Sequence, residues 1–521
     1  MRKSLYSEFA SIHVFNLRGN RRDAGAEGRP IFEAYAKGSG GSIAGIAIII
    51  LVKDDTRAGP CTLRYAQVGD FTTAHEKVAE IVAAESILGT DSRAITPDDH
   101  GDWLNQRRGD FDTFTPLYES DEHSIFESTS KGLTTNRDVW VYNSSQEAVA
   151  ANVHTLIETY NQALRANLAE SDLPRDPHTI SWSRRLLGKY KRRQPITAPD
   201  TAYRRALYRP FFPQHVCFSP DLNEDRRRLP EAFPTRSHPN YGILLTGVSS
   251  HYEFSAIATA QIPDLHMLDT GQFFARWRYE PTSVAGSFDF GTNDDDIVID
   301  GYRRLDNITD TALHEFQQAY SDATITKDDV FHFVYGVLHS AQYRREFHAD
   351  LRKSLPRIPL VEDFARFSTS GRQLFELHRD FEACDPFPLD GASIAPVGDP
   401  YQHFAVGAKK MRFGKPTAQM RADGTKEDRS VIHYNSKITV SGIPLDAYRY
   451  MLGNRSAIEW ILDRYYVKTD RVSGIVNNPN SLARERNDPR YILDLLARVV
   501  SISLKTMQLV DSLPPISTVR D

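Results

Sequence analysis

A chain of 521 residues, 40% hydrophobic and 25% charged, carries apolar material for two or three domains of ordinary globular composition. Its formal net charge of −5 and pI near 6.4 exclude a uniformly basic nucleic-acid coat, so any such affinity has to come from local patches. Three dispersed cysteines, Cys61, Cys217 and Cys384, form no Cys-x-x-Cys pair, which argues against a disulfide framework and a structural zinc site and suits a cytoplasmic location. The start, MRKSLYSEFASIHVF, lacks the apolar core of a signal peptide, and the apolar run at 43–52 is too short to span a membrane.

In chain order, residues 2–9 pattern as a helix end and 12–17 as a strand. After a polar loop over 16–41, IAGIAIIILVKDD reads as a buried central strand and CTLRYAQVGD as another. A helix over 145–170 carries Val149, Val153, Ile157, Tyr160 and Leu164 on one stripe, and a domain boundary is expected near 145. SWSRRLLGKYKRR then concentrates six basic residues with no acid, and residues 241–279 alternate strand-like runs with turns. Residues 325–376 predict three helices. Thr326 and Asp329 form a capping-box start before an apolar face of Val330, Phe331, Phe333, Val334, Val337 and Leu338; Ser340 caps the second helix, with Arg344, Arg345, Arg352 and Lys353 on an expected basic exterior. Further on, VIHYN and KITVSG predict a hairpin turning at Asn435 and Ser436. Ser456 and Glu459 form a capping box, and Asp488 with Pro489 opens the last helix.

Several motifs invite a chemical reading. KGSGGSIAG at Lys37 lacks the Gly-Lys-Ser/Thr ending of a phosphate loop and precedes a strand instead of opening a helix. LHEF at Leu313 has Gln318 where a zinc hydrolase needs a second histidine, which leaves His314 as a helix-surface residue. Asp294, Asp295, Asp296 and Asp300 lack calcium-loop spacing and read as a solvated loop. TTNRDVWVYN from Thr134 suits either a buried hydrogen-bonded corner or a surface that meets DNA and a flipped base. KKMRFGK, followed by Arg421, Lys426, Arg429 and Lys437, suits phosphate contact or a lysine-protected edge strand.

Ten blocks, in order along nearly the whole chain, carry a family resemblance: NLRGNRR, TTNRDVWVYN, LYRPF, IPDLH, FVYGVLHS, LPRIPL, KMRFGK, ITVSGIP, SGIVNNPN and DPRYILDLL. Together they resemble the C-terminal part of the type ISP restriction-modification enzymes, single polypeptides that combine nuclease, helicase, adenine N6 methyltransferase and target recognition. The resemblance implies an α/β and α+β architecture. A partial Rossmann-like methyltransferase sheet over 1–145 would precede a mixed α+β recognition domain over 146–521, made of a helical bridge (146–170), a basic strand-rich part (180–310) and a helical and hairpin part (325–521).

Within that domain the candidates for DNA contact are Asn136, Arg137, Trp140 and Tyr142; Arg184, Arg185, Lys189, Arg192, Arg193 and Arg209; and Lys409, Lys410, Arg412 and Lys415. The resemblance also implies double-stranded DNA and an N-terminal methyltransferase and helicase-nuclease polypeptide as partners, and no membrane. Neither the family's Phe-x-Gly-x-Gly type S-adenosylmethionine loop nor its Asn-Pro-Pro-Tyr type motif occurs here. No catalytic, cofactor or metal residue is therefore assigned, and S-adenosylmethionine is expected only with a complementary methyltransferase half. The sheet strands at 12–17 and 46–52 are expected to lie unpaired. A binding-only specificity subunit and an inactive remnant are the alternatives.

Overall fold

Alternation of apolar side chains puts both faces of the first sheet to use. In the computed structural model, which describes residues 1–19, 30–32, 45–54, 56, 59–120, 123–248, 250–282 and 297–519, the chain divides into two units, Met1–Gly109 and Asp110–Asp521. In the first, the strand Ser11–Asn16 pairs antiparallel with Ala47–Val52 and parallel with Thr62–Gln67, which pairs antiparallel with Arg93–Ile95. Ile12, Val14, Leu63 and Tyr65 form a core on one face, and Phe15, Leu17, Ala66 and Val68 contribute to one on the other. The expectation for residues 12–17 is thus corrected: this strand is interior, paired on both sides. The edge belongs to Ala47–Val52, whose Ile49, Ile50, Leu51 and Val52 are 37 to 49% exposed. Its apolar run is therefore not that of a central strand.

The division at Gly109 falls earlier than the boundary expected near residue 145. The reason is packing: Leu133, Trp140 and Val141 share one core with Val149, Val153, Leu156 and Tyr160 of the helix Gln146–Arg165. A shared core of that kind binds the TTNRDVWVYN segment to everything after it.

The second unit is mixed α/β, built from several small sheets and helices. One antiparallel sheet runs Ala256–Thr259, Gly242–Leu245, Gln272–Ala275, Ser130–Lys131. Another runs Ile262–Pro263, Tyr203–Arg209, Phe212–Cys217, Tyr142–Asn143. The expected hairpin is present: Asp428–His433 pairs with Thr439–Val440, and Asn435 Oδ1 closes the turn by accepting from the Lys437 and Ile438 amides at 2.8 Å each. Arg412–Gly414 adds a third strand.

The capping boxes at Thr326 and Ser456 form as the sequence predicts, at the helices Lys327–His339 and Ala457–Arg464. The last helix, Tyr491–Asp511, begins two residues later than Pro489; Asp488 Oδ1 still meets the chain there, accepting from the Arg490 amide at 2.9 Å. Lys327–His339 packs against Phe364–Arg379 with Gly336 and Gly371 at the crossing, where an added Cβ on Gly371 would lie 2.8 Å from Gly336 N. The basic exterior expected for residues 340–353 is only partly realised. Arg345 is exposed and Arg352 pairs with Glu253, but Arg344 is half-buried, donating from Nε to the Leu338 carbonyl at 2.6 Å. Its neighbours are Phe254, Tyr335 and Tyr450, and burial pushes its guanidinium down to about 10.

Among the described residues no helix is long and apolar enough to cross a membrane, and no group of three or more His, Cys, Asp or Glu residues is placed to hold a metal ion. His314 is exposed on the helix Asp310–Ala319. The glycine-rich loop from Lys37 to Ala44 and the acids Asp294, Asp295 and Asp296 lie outside the described residues.

Candidate nucleic-acid interface

The sequence-predicted residues separate into three places. The first is a cleft of about 480 Å³ lined by Arg184, Arg185, Gly188, Lys189 and Arg192, with Glu224 and Asp225 on its far wall. Ser183 caps the helix Arg184–Lys191 by accepting from the Leu186 amide, and Leu186 and Tyr190 anchor its inner face in the core. Helical spacing then puts residues 184, 185, 188, 189 and 192 toward the cleft. Lys189 is held by Asp221 at 2.6 Å, while Arg184, Arg185 and Arg192 are exposed. Arg193 points elsewhere, over the Tyr190 ring at 5.5 Å.

The second place is the TTNRDVWVYN segment, most of which is a buried, hydrogen-bonded corner. Asn136 is exposed in a left-handed turn (φ +53°), and with Arg137 it lines a cleft of about 410 Å³. Arg137 is only 5% exposed. Its Nη2 donates to Ser183 Oγ, but Nε and Nη1 have no hydrogen-bond partner, and burial pushes the guanidinium down to about 10 against the pull of Glu224. Trp140 is a core residue, and Tyr142 is buried against Tyr208, ring centroids 4.7 Å apart. Behind them lies a polar network. Tyr208 donates to Asp138 at 3.0 Å, Thr135 donates to the other oxygen of Asp138, and Arg209 pairs with Asp264 at 2.7 Å while covering the Tyr208 ring at 4.0 Å. Burial, offset in part by Arg209, pushes the Asp264 carboxyl up to about 6. Arg209 is 11% exposed and its charge is met inside the protein, so it orients Tyr208 instead of reaching outward.

The third place is the 409–415 stretch. Lys409, Arg412 and Lys415 are exposed, whereas Lys410 pairs with Asp463 and lies 5.1 Å over the Tyr466 ring. Beside Tyr466, a second pocket is lined by Tyr142, Tyr208, Phe212, Gln214, Arg464 and Lys468 among others. Sequence reasoning missed Gln214, a buried amide inside the fully buried strand Phe212–Cys217; the signal available was an amide in an otherwise apolar run. It also missed a cleft of about 680 Å³ bordered by Arg204, Arg205, Arg236 and Arg379. Three of these arginines lie among turns and strands whose alternation is too short to orient them in advance.

A basic cleft and a buried polar network thus sit on a scaffold of small sheets. Comparison places the chain more closely: the family model for the Type ISP C-terminal specificity domain matches residues 124–495, and the chain belongs to that family. Three solved structures are similar over 99% of this chain. A nuclease-deletion mutant of the Type ISP restriction-modification enzyme LlaGI, in complex with a DNA substrate mimic, is 33% identical with a TM-score of 0.81. The ATP-dependent Type ISP enzyme LlaBIII bound to DNA is 28% identical with a TM-score of 0.83, and DrdV in a DNA complex is 29% identical with a TM-score of 0.79. The chain spans 45%, 32% and 49% of those three chains, less than half of each. No curated protein matches.

Proposed function

We propose that this chain reads a DNA sequence for a Type ISP-like restriction-modification system, with backbone phosphates held in the Arg184–Arg192 cleft. The observation that carries this reading is the convergence of Arg184, Arg185, Lys189 and Arg192 on one cleft, with Arg137 beside it through the shared Ser183. Guanidinium groups suit phosphate because their fork of donors matches two oxygens, and such contacts position the protein on the duplex. LlaGI, LlaBIII and DrdV, solved with DNA or a DNA mimic, support duplex DNA as the partner.

Adenine N6 methylation, nuclease and helicase activities belong in this reading to a further N-terminal methyltransferase and helicase-nuclease portion. S-adenosylmethionine would bind there. The described residues of 1–109 do not fit that cofactor: their strand-to-helix turn after Thr62–Gln67 has one glycine, Gly69, and closes on itself. Thr72 donates to the Gly69 carbonyl at 2.6 Å and Glu76 accepts from the Thr73 amide at 2.7 Å, so the helix Ala74–Ala84 has its N-terminus already capped. A second reading is a specificity subunit that binds without supporting methylation; a reconstituted complex tested for methyl transfer to adenine separates the two.

The test of recognition is binding to a random duplex library at stated salt. Recovery of an asymmetric consensus is expected, and salt-sensitive retention of all sequences alike would overturn the reading.

A further inference from the structure

We infer that the cleft bordered by Arg204 and Arg236 binds a free nucleoside polyphosphate, with its phosphates on those two arginines and its base edge on Gln261. The cleft holds about 680 Å³ and shares no lining residue with the clefts under Arg137 and along Arg184–Arg192, or with the pocket beside Tyr208. Side-chain alternation along Phe212–Cys217 explains the separation: Gln214 lines the pocket beside Tyr208, and His215 lines this cleft on the other face of the sheet. A ligand held here is thus separate from the duplex-reading surface proposed above.

Charge makes the cleft an anion site. Among the described residues that line it four are arginines, and Asp380 is the one acid. Arg379 takes both oxygens of Asp380, at 2.9 and 2.5 Å, and Arg205 faces Glu485 at 3.9 Å, where His215 Nε2 meets the same oxygen at 2.7 Å. Arg204 and Arg236 are differently placed. Arg204 donates to the Phe233 and Thr235 carbonyls at 3.4 and 2.7 Å, and Arg236 donates to the Tyr203 and Asp200 carbonyls at 2.9 and 3.0 Å. Backbone therefore fixes both guanidinium groups, and no carboxylate among the described residues neutralises either. Burial first, then Arg236, pushes Arg204 down to about 10. A phosphate group shared between them relieves that repulsion and matches the fork of donors each presents.

The rest of the lining is not that of a bare-anion site. Phe233, Tyr241 and Ile262 give an apolar wall, and Gln261 Oε1 is buried on the same lining with no hydrogen-bond partner. An unmet oxygen at such depth costs free energy. It repels a bare phosphate, whereas the exocyclic amine of a nucleobase donates to it. The volume also falls within the roughly 300–1,000 Å³ of small-ligand sites, which are mostly apolar with a few placed polar groups.

Calorimetric titration of the full chain with ATP, inosine 5′-triphosphate and inorganic tripolyphosphate at physiological salt tests the site, because inosine carries a carbonyl where adenosine carries the amine. One saturable ATP site is expected, with the other two probes weaker by roughly tenfold, the order of one buried hydrogen bond. Saturating duplex DNA should leave ATP affinity unchanged. Gln261→Leu deletes an unmet oxygen, so it should keep the wild-type Tm while binding ATP and inosine triphosphate alike. Arg236→Gln should weaken all three probes by about tenfold or more. Where Arg236→Gln loses its Tm, the Gln261→Leu comparison still decides. No saturable ATP binding by wild type, or binding unchanged in both variants, would overturn the inference altogether. ATP no tighter than tripolyphosphate would leave a bare-anion site and overturn the nucleoside assignment. Displacement of ATP by the duplex would give the arginines to the nucleic-acid backbone and overturn the free-nucleotide assignment.

Discussion

Replacing Gly371 by alanine is expected to destabilise the 110–521 unit, although the same change on a solvent-facing helix stabilises by ~0.8–1.0 kcal/mol. The sign differs because Gly371 lies where two helices nearly touch. An alanine Cβ there would lie 2.9 Å from the His332 carbonyl carbon and 2.8 Å from Gly336 N, whereas ordinary contact begins near 3.4 Å. Both atoms are backbone, so no rotamer change relieves the overlap and the helices have to part by at least half an ångström. Parting loosens the ring contacts that tie Lys327–His339 to Phe364–Arg379: Phe333 to Phe364 at 4.9 Å, Phe331 to Phe375 at 5.2 Å and Phe333 to Phe367 at 6.0 Å. Overpacking of this kind costs roughly 1–3 kcal/mol, and a rigid backbone clash belongs at the top of that range. Subtracting the propensity gain leaves a net loss of about 2 kcal/mol. Urea unfolding followed by near-ultraviolet circular dichroism reads it as a lower midpoint at unchanged slope. A midpoint equal to or above wild type would refute the close-crossing argument.

Alanine at Arg184, Arg185, Lys189 and Arg192 together should lower the slope of log affinity against log salt by up to about 0.9 for each phosphate no longer neutralised, while leaving any consensus in place; fluorescence anisotropy at several salt concentrations measures it. Arg344→Met should hold or raise stability, since Arg344 Nη2 is buried without a hydrogen-bond partner and no carboxylate among the described residues pairs with it, whereas Arg344→Ala leaves a cavity worth about 2 kcal/mol or more; denaturation midpoints separate the two. Acid is expected to weaken the fold through His378. Burial first, then Arg344, pushes its imidazole down to about 3 from an ordinary 6.5, so between those pH values the unfolded chain binds more protons than the fold. This contribution is fully present above pH 6.5 and declines as pH falls toward 3, by up to ~1.4 kcal/mol per pH unit. A His378→Gln variant with the same acid slope as wild type would count against that account.

Local features were legible in the chain wherever the physics is local. A cap needs only a side chain three residues from the amide it satisfies, so Thr326 with Asp329 and Ser456 with Glu459 could be read directly, as could the Asn435 turn. The concentration of basic residues in SWSRRLLGKYKRR was likewise legible, but that Arg184, Arg185 and Lys189 share one face came only with the helix Arg184–Lys191. Order and wording of ten blocks sufficed for the family.

Tertiary structure alone decided which charges face outward. Arg184 and Arg344 are both helix arginines in basic stretches, yet one lines an open cleft and the other lies among Phe254, Tyr335 and Tyr450. Arg209 is spent on Asp264, 55 positions away, and the strand expected at an edge, Ser11–Asn16, is paired on both sides. The pocket beside Gln214 gathers residues 138–143, 208–214 and 463–477, which no window of sequence holds together. Burial and pairing depend on neighbours brought in by the whole fold, whereas caps, turns and helical faces depend on the next four residues.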